Sequence, residues 1–119
     1  MLIATSTLLS CKKESAPQQP TQTLPDMKGT WTGKWGDNFD TPVKTYRLQV
    51  KTENVVDINN GFADYVGTWR IDGYTFVASY VISGQTLTLK AAIDKAHMEG
   101  IWRNTTTNEY KGTFYLDKQ

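Results

Sequence analysis

From residue 27 onward, apolar and polar residues alternate at a period of two, the repeat of strands with one face toward a core and the other toward water. The alternation predicts strands over 29–36, 43–51, 54–59, 64–71, 74–82, 85–93, 97–103 and 109–117. Turn-forming runs separate them, among them Asn59-Asn60-Gly61, Asp72-Gly73 and Ser83-Gly84. No stretch carries the period of a helix. Short strands following one another in this way predict an all-β domain, an eight-stranded antiparallel up-and-down meander barrel. An antiparallel β-sandwich is the alternative.

Residues flanking a two-residue hairpin loop face each other and share one side of the sheet. A loop at Asp72-Gly73 pairs Ile71 with Tyr74, Trp69 with Phe76, Gly67 with Ala78 and Tyr65 with Tyr80. A loop at Ser83-Gly84 pairs Ile82 with Gln85, Tyr80 with Leu87, Ala78 with Leu89, Phe76 with Ala91 and Tyr74 with Ile93. Both hairpins place one apolar set on one face, and a slip of one residue would turn that set to water. Continuing the alternation adds Trp31, Gly33 and Trp35; Tyr46, Leu48 and Val50; Met98, Gly100 and Trp102; and Tyr110, Gly112, Phe114 and Leu116. Eleven of the fourteen aromatics then share a face, which no flat sheet could cover. The sheet must close or fold onto itself.

Composition narrows the classes. Thirteen Lys and Arg against twelve Asp and Glu leave neither a basic stripe for nucleic acid nor an acidic tail. One Cys and one His exclude an internal disulfide and a Cys/His zinc site of the usual spacing. Residues 1–10, MLIATSTLLS, are uncharged and too short to cross a bilayer core of about 30 Å. They read as the end of a secretory signal peptide, and the lack of a basic residue ahead of the apolar run implies a leader longer than these ten. Residues 12–26, KKESAPQQPTQTLPD, hold three prolines, three glutamines and too little apolar surface to fold. As a tether they would reach on the order of 20 Å. All fourteen aromatics lie in 27–119, the expected folded unit.

Leu8-Leu9-Ser10-Cys11 resembles the lipobox of bacterial lipoproteins, and Cys11-Lys12-Lys13-Glu14-Ser15 is similar to the post-cysteine stretch of lipoproteins from Bacteroidota. The resemblance implies that residues 1–10 are removed and that Cys11 is diacylated. Residues 11–26 are then anchor and tether, and the protein sits on the outer membrane, on its periplasmic or surface-exposed side. A free cysteine in an unfolded tail is the other reading. A Gly-x-aromatic element recurs at Gly29-Thr30-Trp31, Gly67-Thr68-Trp69, Gly100-Ile101-Trp102 and Gly112-Thr113-Phe114. This pattern resembles the calycins, lipocalin-like and avidin-like barrels whose first strand carries Gly-x-Trp near the closed end. The likeness implies a lipocalin-like domain over 27–119, with Trp31 near the closed end and Arg103 as the cation packed over it.

Catalytic chemistry is sparse. His97 alone titrates near neutrality without perturbation, and beside Lys95 and Glu99 it reads as a solvated turn residue. There is no Gly-x-Ser-x-Gly elbow and no recognisable triad. Asp37 and Asp40 lack the length and order of a calcium loop, and no metal or other cofactor is expected. A meander puts both ends of the domain and the connections 52–53, 72–73 and 94–96 at one end of the barrel. Loops 37–42, 60–63 and 104–108 lie at the other, with Ser83-Gly84. Inward residues near that distal rim are Trp35, Tyr46, Tyr65, Tyr80, Gln85 and Tyr110, with Phe39 and Phe62 on the loops. Rings with polar tips around a mouth suit a small amphipathic or sugar-like ligand; alternatively, these rings simply fill the barrel. The expectation is a membrane-anchored, non-enzymatic domain that binds a small molecule at its distal rim. The alternative is a protein-binding module, such as a protease inhibitor or an accessory subunit of an envelope complex.

Overall fold

The computed structural model describes residues 24–119; the signal peptide, Cys11 and most of the tether expected from the sequence lie outside the described residues. The strands are β1 (Gly29–Trp35), β2 (Lys44–Val50), β3 (Val55–Asn59), β4 (Asp64–Asp72), β5 (Thr75–Ile82), β6 (Gln85–Asp94), β7 (His97–Asn104) and β8 (Glu109–Lys118). Each runs antiparallel to the next, and β8 returns to β1, from Trp31↔Lys118 to Trp35↔Phe114, closing a barrel. Strand ends fall within a residue of those the alternation predicts. Closure, not a sandwich, covers the aromatic face and leaves no unpaired edge.

The inward set forms one core. Trp31, Leu48, Val56, Ile58, Phe76, Leu89, Met98, Phe114 and Leu116 are all but inaccessible to solvent. Each such burial contributes about 1.5–3 kcal/mol before entropy is counted. The core fills the barrel from its closed end upward. There the Trp31 Nε1 donates to the Met27 carbonyl at 2.9 Å, and Met27 itself is buried. The chain reaches the core as early as Leu24, which packs against it. The Trp69 Nε1 donates to the Lys51 carbonyl at 2.9 Å, and its ring stacks on Phe76 at 6.0 Å.

The β5–β6 hairpin has the predicted register, with Tyr80↔Leu87, Ala78↔Leu89 and Phe76↔Ala91. Ser83 and Gly84 have φ of 51° and 78°, the positive pair that a type I′ loop requires. The β4–β5 register differs by two residues: Asp72 faces Thr75, Ile71 faces Phe76 and Trp69 faces Ala78. The loop is Gly73-Tyr74 rather than Asp72-Gly73. Its glycine, at φ 64°, takes the first loop position as in type II′ hairpins. A shift of two preserves every face, so only Tyr74 leaves the inner set, as a loop residue 44% exposed.

Two further expectations are corrected. Trp102 pairs with Gly112 but Arg103 pairs with Tyr110, so Lys111 is an extra residue on β8. This bulge turns Tyr110 from the inner face to the side of Arg103. There Tyr110 stacks on Phe39 at 5.7 Å and its hydroxyl donates to the Asn38 carbonyl at 3.0 Å. Arg103 does not lie over Trp31. It sits at the opposite end of the barrel, its Nη2 donating to the Asn108 carbonyl and Oδ1 at 3.1 and 3.0 Å.

Candidate functional site

The up-and-down order gathers the ends of β1, β3, β5 and β7, and the starts of β2, β4, β6 and β8, at the end away from Met27. Packing is incomplete there. A cavity of about 130 Å³ opens among Trp35, Tyr46, Asn60, Tyr80, Ile82, Leu87 and Trp102.

Backbone carbonyls hold the two indole rings of that lining. The Trp35 Nε1 donates to the Asn60 carbonyl at 2.9 Å, which ties β1 to the β3–β4 loop. The Trp102 Nε1 donates to the Gly36 carbonyl at 3.0 Å, which ties β7 to the start of the β1–β2 loop. Gly112 leaves room for this bond, since a Cβ there would lie 1.9 Å from the Gly36 oxygen and 2.7 Å from the Trp102 Nε1. The two indoles meet edge to face, centroids 5.3 Å apart and planes at 87°. Lys44 lies 4.6 Å above the Trp35 ring and bonds Asp37 at 2.7 Å, so a cation–π contact forms at the open end. With both indole donors already satisfied, the rings present only their faces and edges to the cavity.

The polar groups nearest the cavity form a pair. Tyr46 and Tyr80 share a hydrogen bond. Burial pushes the Tyr46 hydroxyl well above the usual phenol range, and the proximity and hydrogen bond of Tyr80 add to the rise. Burial also raises Tyr80, partly opposed by its interaction with the Tyr46 hydroxyl, and Tyr65 nearby adds to the rise. Asn60 is held by its own turn, its Oδ1 accepting from the backbone N–H of Phe62 and Ala63 at 2.9 and 3.0 Å.

Of the residues expected at the distal rim, Trp35, Tyr46 and Tyr80 line the cavity. Tyr65 packs on Tyr80 at 5.3 Å but borders a groove on the outer wall. Gln85 is not among the lining residues, and its Oε1 accepts from Asn104 at 2.7 Å. Phe39 and Phe62 stand 93% and 78% exposed on their loops, and Tyr110 is outside. Trp102, Ile82, Leu87 and Asn60 were absent from the expected set. The first three already belonged to the inner face and lie near strand ends, so the same rim criterion applied to β5, β6 and β7 could have found them. Asn60 carried only a turn signal.

His97 opens β7 at the closed end, its Nδ1 2.7 Å from Asp117 and its Nε2 3.3 Å from Glu99. Asp37 is engaged by Lys44. Among the described residues, no three His, Cys, Asp or Glu side chains cluster to hold a metal ion. No protein-family model matches the chain, and no curated protein matches it.

Proposed function

We propose that the chain is a lipid-anchored, lipocalin-like binding domain of the bacterial cell envelope, tethered through Cys11 and taking a small ring-shaped ligand at its distal end. The cavity held open by two fixed indoles carries this reading. Its walls are ring faces and aliphatic carbons, a lining suited to a flat apolar group. Its size is close to that of an engineered cavity of about 150 Å³ that holds benzene. Tyr46 and Tyr80 line the cavity, and a phenol hydroxyl can both donate and accept. A single ring bearing one hydrogen-bonding group is therefore the ligand class. Binding rather than catalysis fits the titratable groups, since two tyrosines pushed upward exchange no proton near neutrality. The lipobox-like run at Cys11 supports the anchor. Entry of the chain at the Met27 end leaves the cavity facing away from it.

Titration with phenol, indole and methyl glucoside, read on the four indole Nε1 NMR resonances, tests the site. Saturable shifts at Trp35 and Trp102, with Trp31 and Trp69 still, are expected. Uniform shifts, or none with any of the three probes, would sink the proposal. Intact mass of the membrane-extracted protein tests the anchor: a chain beginning at a diacylated Cys11 is expected, and a mature chain that retains residues 1–10 rules it out.

Exposed Phe39, Val43 and Phe62 on the rim loops favour a second reading, a protein-binding module. Replacing loops 37–42 and 60–63 with Gly/Ser would then abolish capture of the partner.

A further inference from the structure

A second concavity lies on the outer wall, where β2, β3 and β4 run side by side. It is a groove of about 380 Å³ bordered by Arg47, Gln49, Asp57, Asn59, Asp64 and Val66. The registers Arg47↔Asn59↔Asp64 and Gln49↔Asp57↔Val66 arrange these outward residues in two rows. With neighbouring strands about 4.8 Å apart, each row spans roughly 10 Å.

Its carboxylates each hold one partner, while two of its donor groups are open. The Asn59 Nδ2 donates to the Asp64 Oδ1 at 2.8 Å, and the Asn59 Oδ1 accepts from the Gly61 N–H at 2.9 Å. The Asp57 Oδ2 pairs with the Lys51 Nζ at 2.6 Å. The Gln49 Oε1 accepts from the Thr30 hydroxyl at 2.7 Å, which leaves its Nε2 to donate. Among the described residues, the Arg47 guanidinium has no hydrogen-bond or ion-pair partner. A free guanidinium beside a free amide N–H is a donor set seeking an anion.

We infer that this groove binds a small carboxylate, recognised by Arg47 and Gln49. The guanidinium fork matches a carboxylate's two oxygens. Val66, 72% exposed in the adjoining row, offers apolar surface to the body of the ligand. Among the described residues Lys51 offsets Asp57 but no cation offsets Asp64, so a ligand carrying one negative charge is repelled less than one carrying two. A peptide C-terminus and a sugar acid share this chemistry.

The purified protein is titrated with N-acetylalanylalanine and with glucuronate while backbone amide resonances are followed. The neutral counterparts, N-acetylalanylalanine amide and methyl glucoside, serve as controls, and the two carboxylate arms distinguish peptide from sugar. Saturable shifts confined to the amides around Arg47, Gln49 and Asn59 are expected with at least one carboxylate and with neither control. Arg47→Gln weakens that binding roughly tenfold or more. Its exposed side chain leaves the core resonances unchanged, so loss of response is distinguishable from loss of fold. Inorganic phosphate binds more weakly than the carboxylate. No saturable response to either carboxylate, an equal response to the neutral counterparts, an unchanged R47Q, or tighter binding of phosphate would each overturn the assignment.

Discussion

The Trp102 Nε1 donates to the Gly36 carbonyl at 3.0 Å, a bond that passes over β8 where Gly112 has no side chain. Two strands and the start of the β1–β2 loop thus meet at one hydrogen bond, and the cavity wall depends on a position that must lack a Cβ.

Gly112→Ala tests that dependence. The new methyl would displace the Gly36 carbonyl and the Trp102 indole together, at a cost of about 1–3 kcal/mol. Denaturant unfolding should show a lowered midpoint and the Trp102 indole resonance should move. Gly84→Ala is the control. Its Cβ meets nothing within 4 Å, so only its φ of 78° is penalised, at about 1 kcal/mol, and Trp102 should not respond.

Tyr46 makes stability fall in alkali. An unfolded tyrosine ionises near pH 10, whereas burial holds the folded Tyr46 hydroxyl protonated well beyond that. Above about pH 10 the unfolded state therefore binds fewer protons, and stability drops as pH rises. Unfolding midpoints measured between about pH 9 and 11 should decline less steeply in Tyr46→Phe.

His97 acts in the opposite pH range. Its hydrogen bond with Asp117 raises its pKa above the usual histidine value; slight burial opposes this and Glu99 adds to it. The imidazolium's stabilising contribution is complete below about pH 6.5 and is lost as pH rises through the elevated folded value. His97→Gln should lower the thermal midpoint near pH 5.5 and leave it unchanged near pH 8.5. The side chain is 38% exposed, so the effect should stay below about 1 kcal/mol after screening.

Asn104 is the buried polar residue of the described core, and it joins two loops. Its Nδ2 donates to Gln85 at 2.7 Å and its Oδ1 accepts from the Thr107 N–H at 3.1 Å. Asn104→Ala should cost about 1–2 kcal/mol by unfolding and loosen both connections. Asn104→Asp retains the acceptor for Thr107, so amide exchange at Thr107 should be faster in the alanine variant than in the aspartate one.

Much of the architecture was legible in local pattern. Trp31, Tyr46, Phe76, Leu89 and Phe114 fall on one face because the side-chain period is two, whatever the partners. The same rule kept the inner set nearly intact when the β4–β5 loop formed at Gly73-Tyr74 instead of Asp72-Gly73. Asp-Gly and Gly-Tyr both suit two-residue loops, and the loop that forms sets Phe76 opposite Ile71. Tyr110 shows where the rule stops: nothing in Glu109-Tyr110-Lys111-Gly112 announces a bulge, so alternation carried the ring inward when it belongs beside Phe39.

The sequence by itself determined which residues are apolar, at what spacing they recur and where turns interrupt them. Those quantities suffice for eight strands and a shared inner face. Closure of β1 onto β8 decided the rest. It brought Trp102 to Gly36 across 66 residues, set the two indoles edge to face and left the space between Tyr46, Tyr80 and Leu87 unfilled. A cavity is a deficit of volume among residues distant in the chain, so no local pattern encodes it.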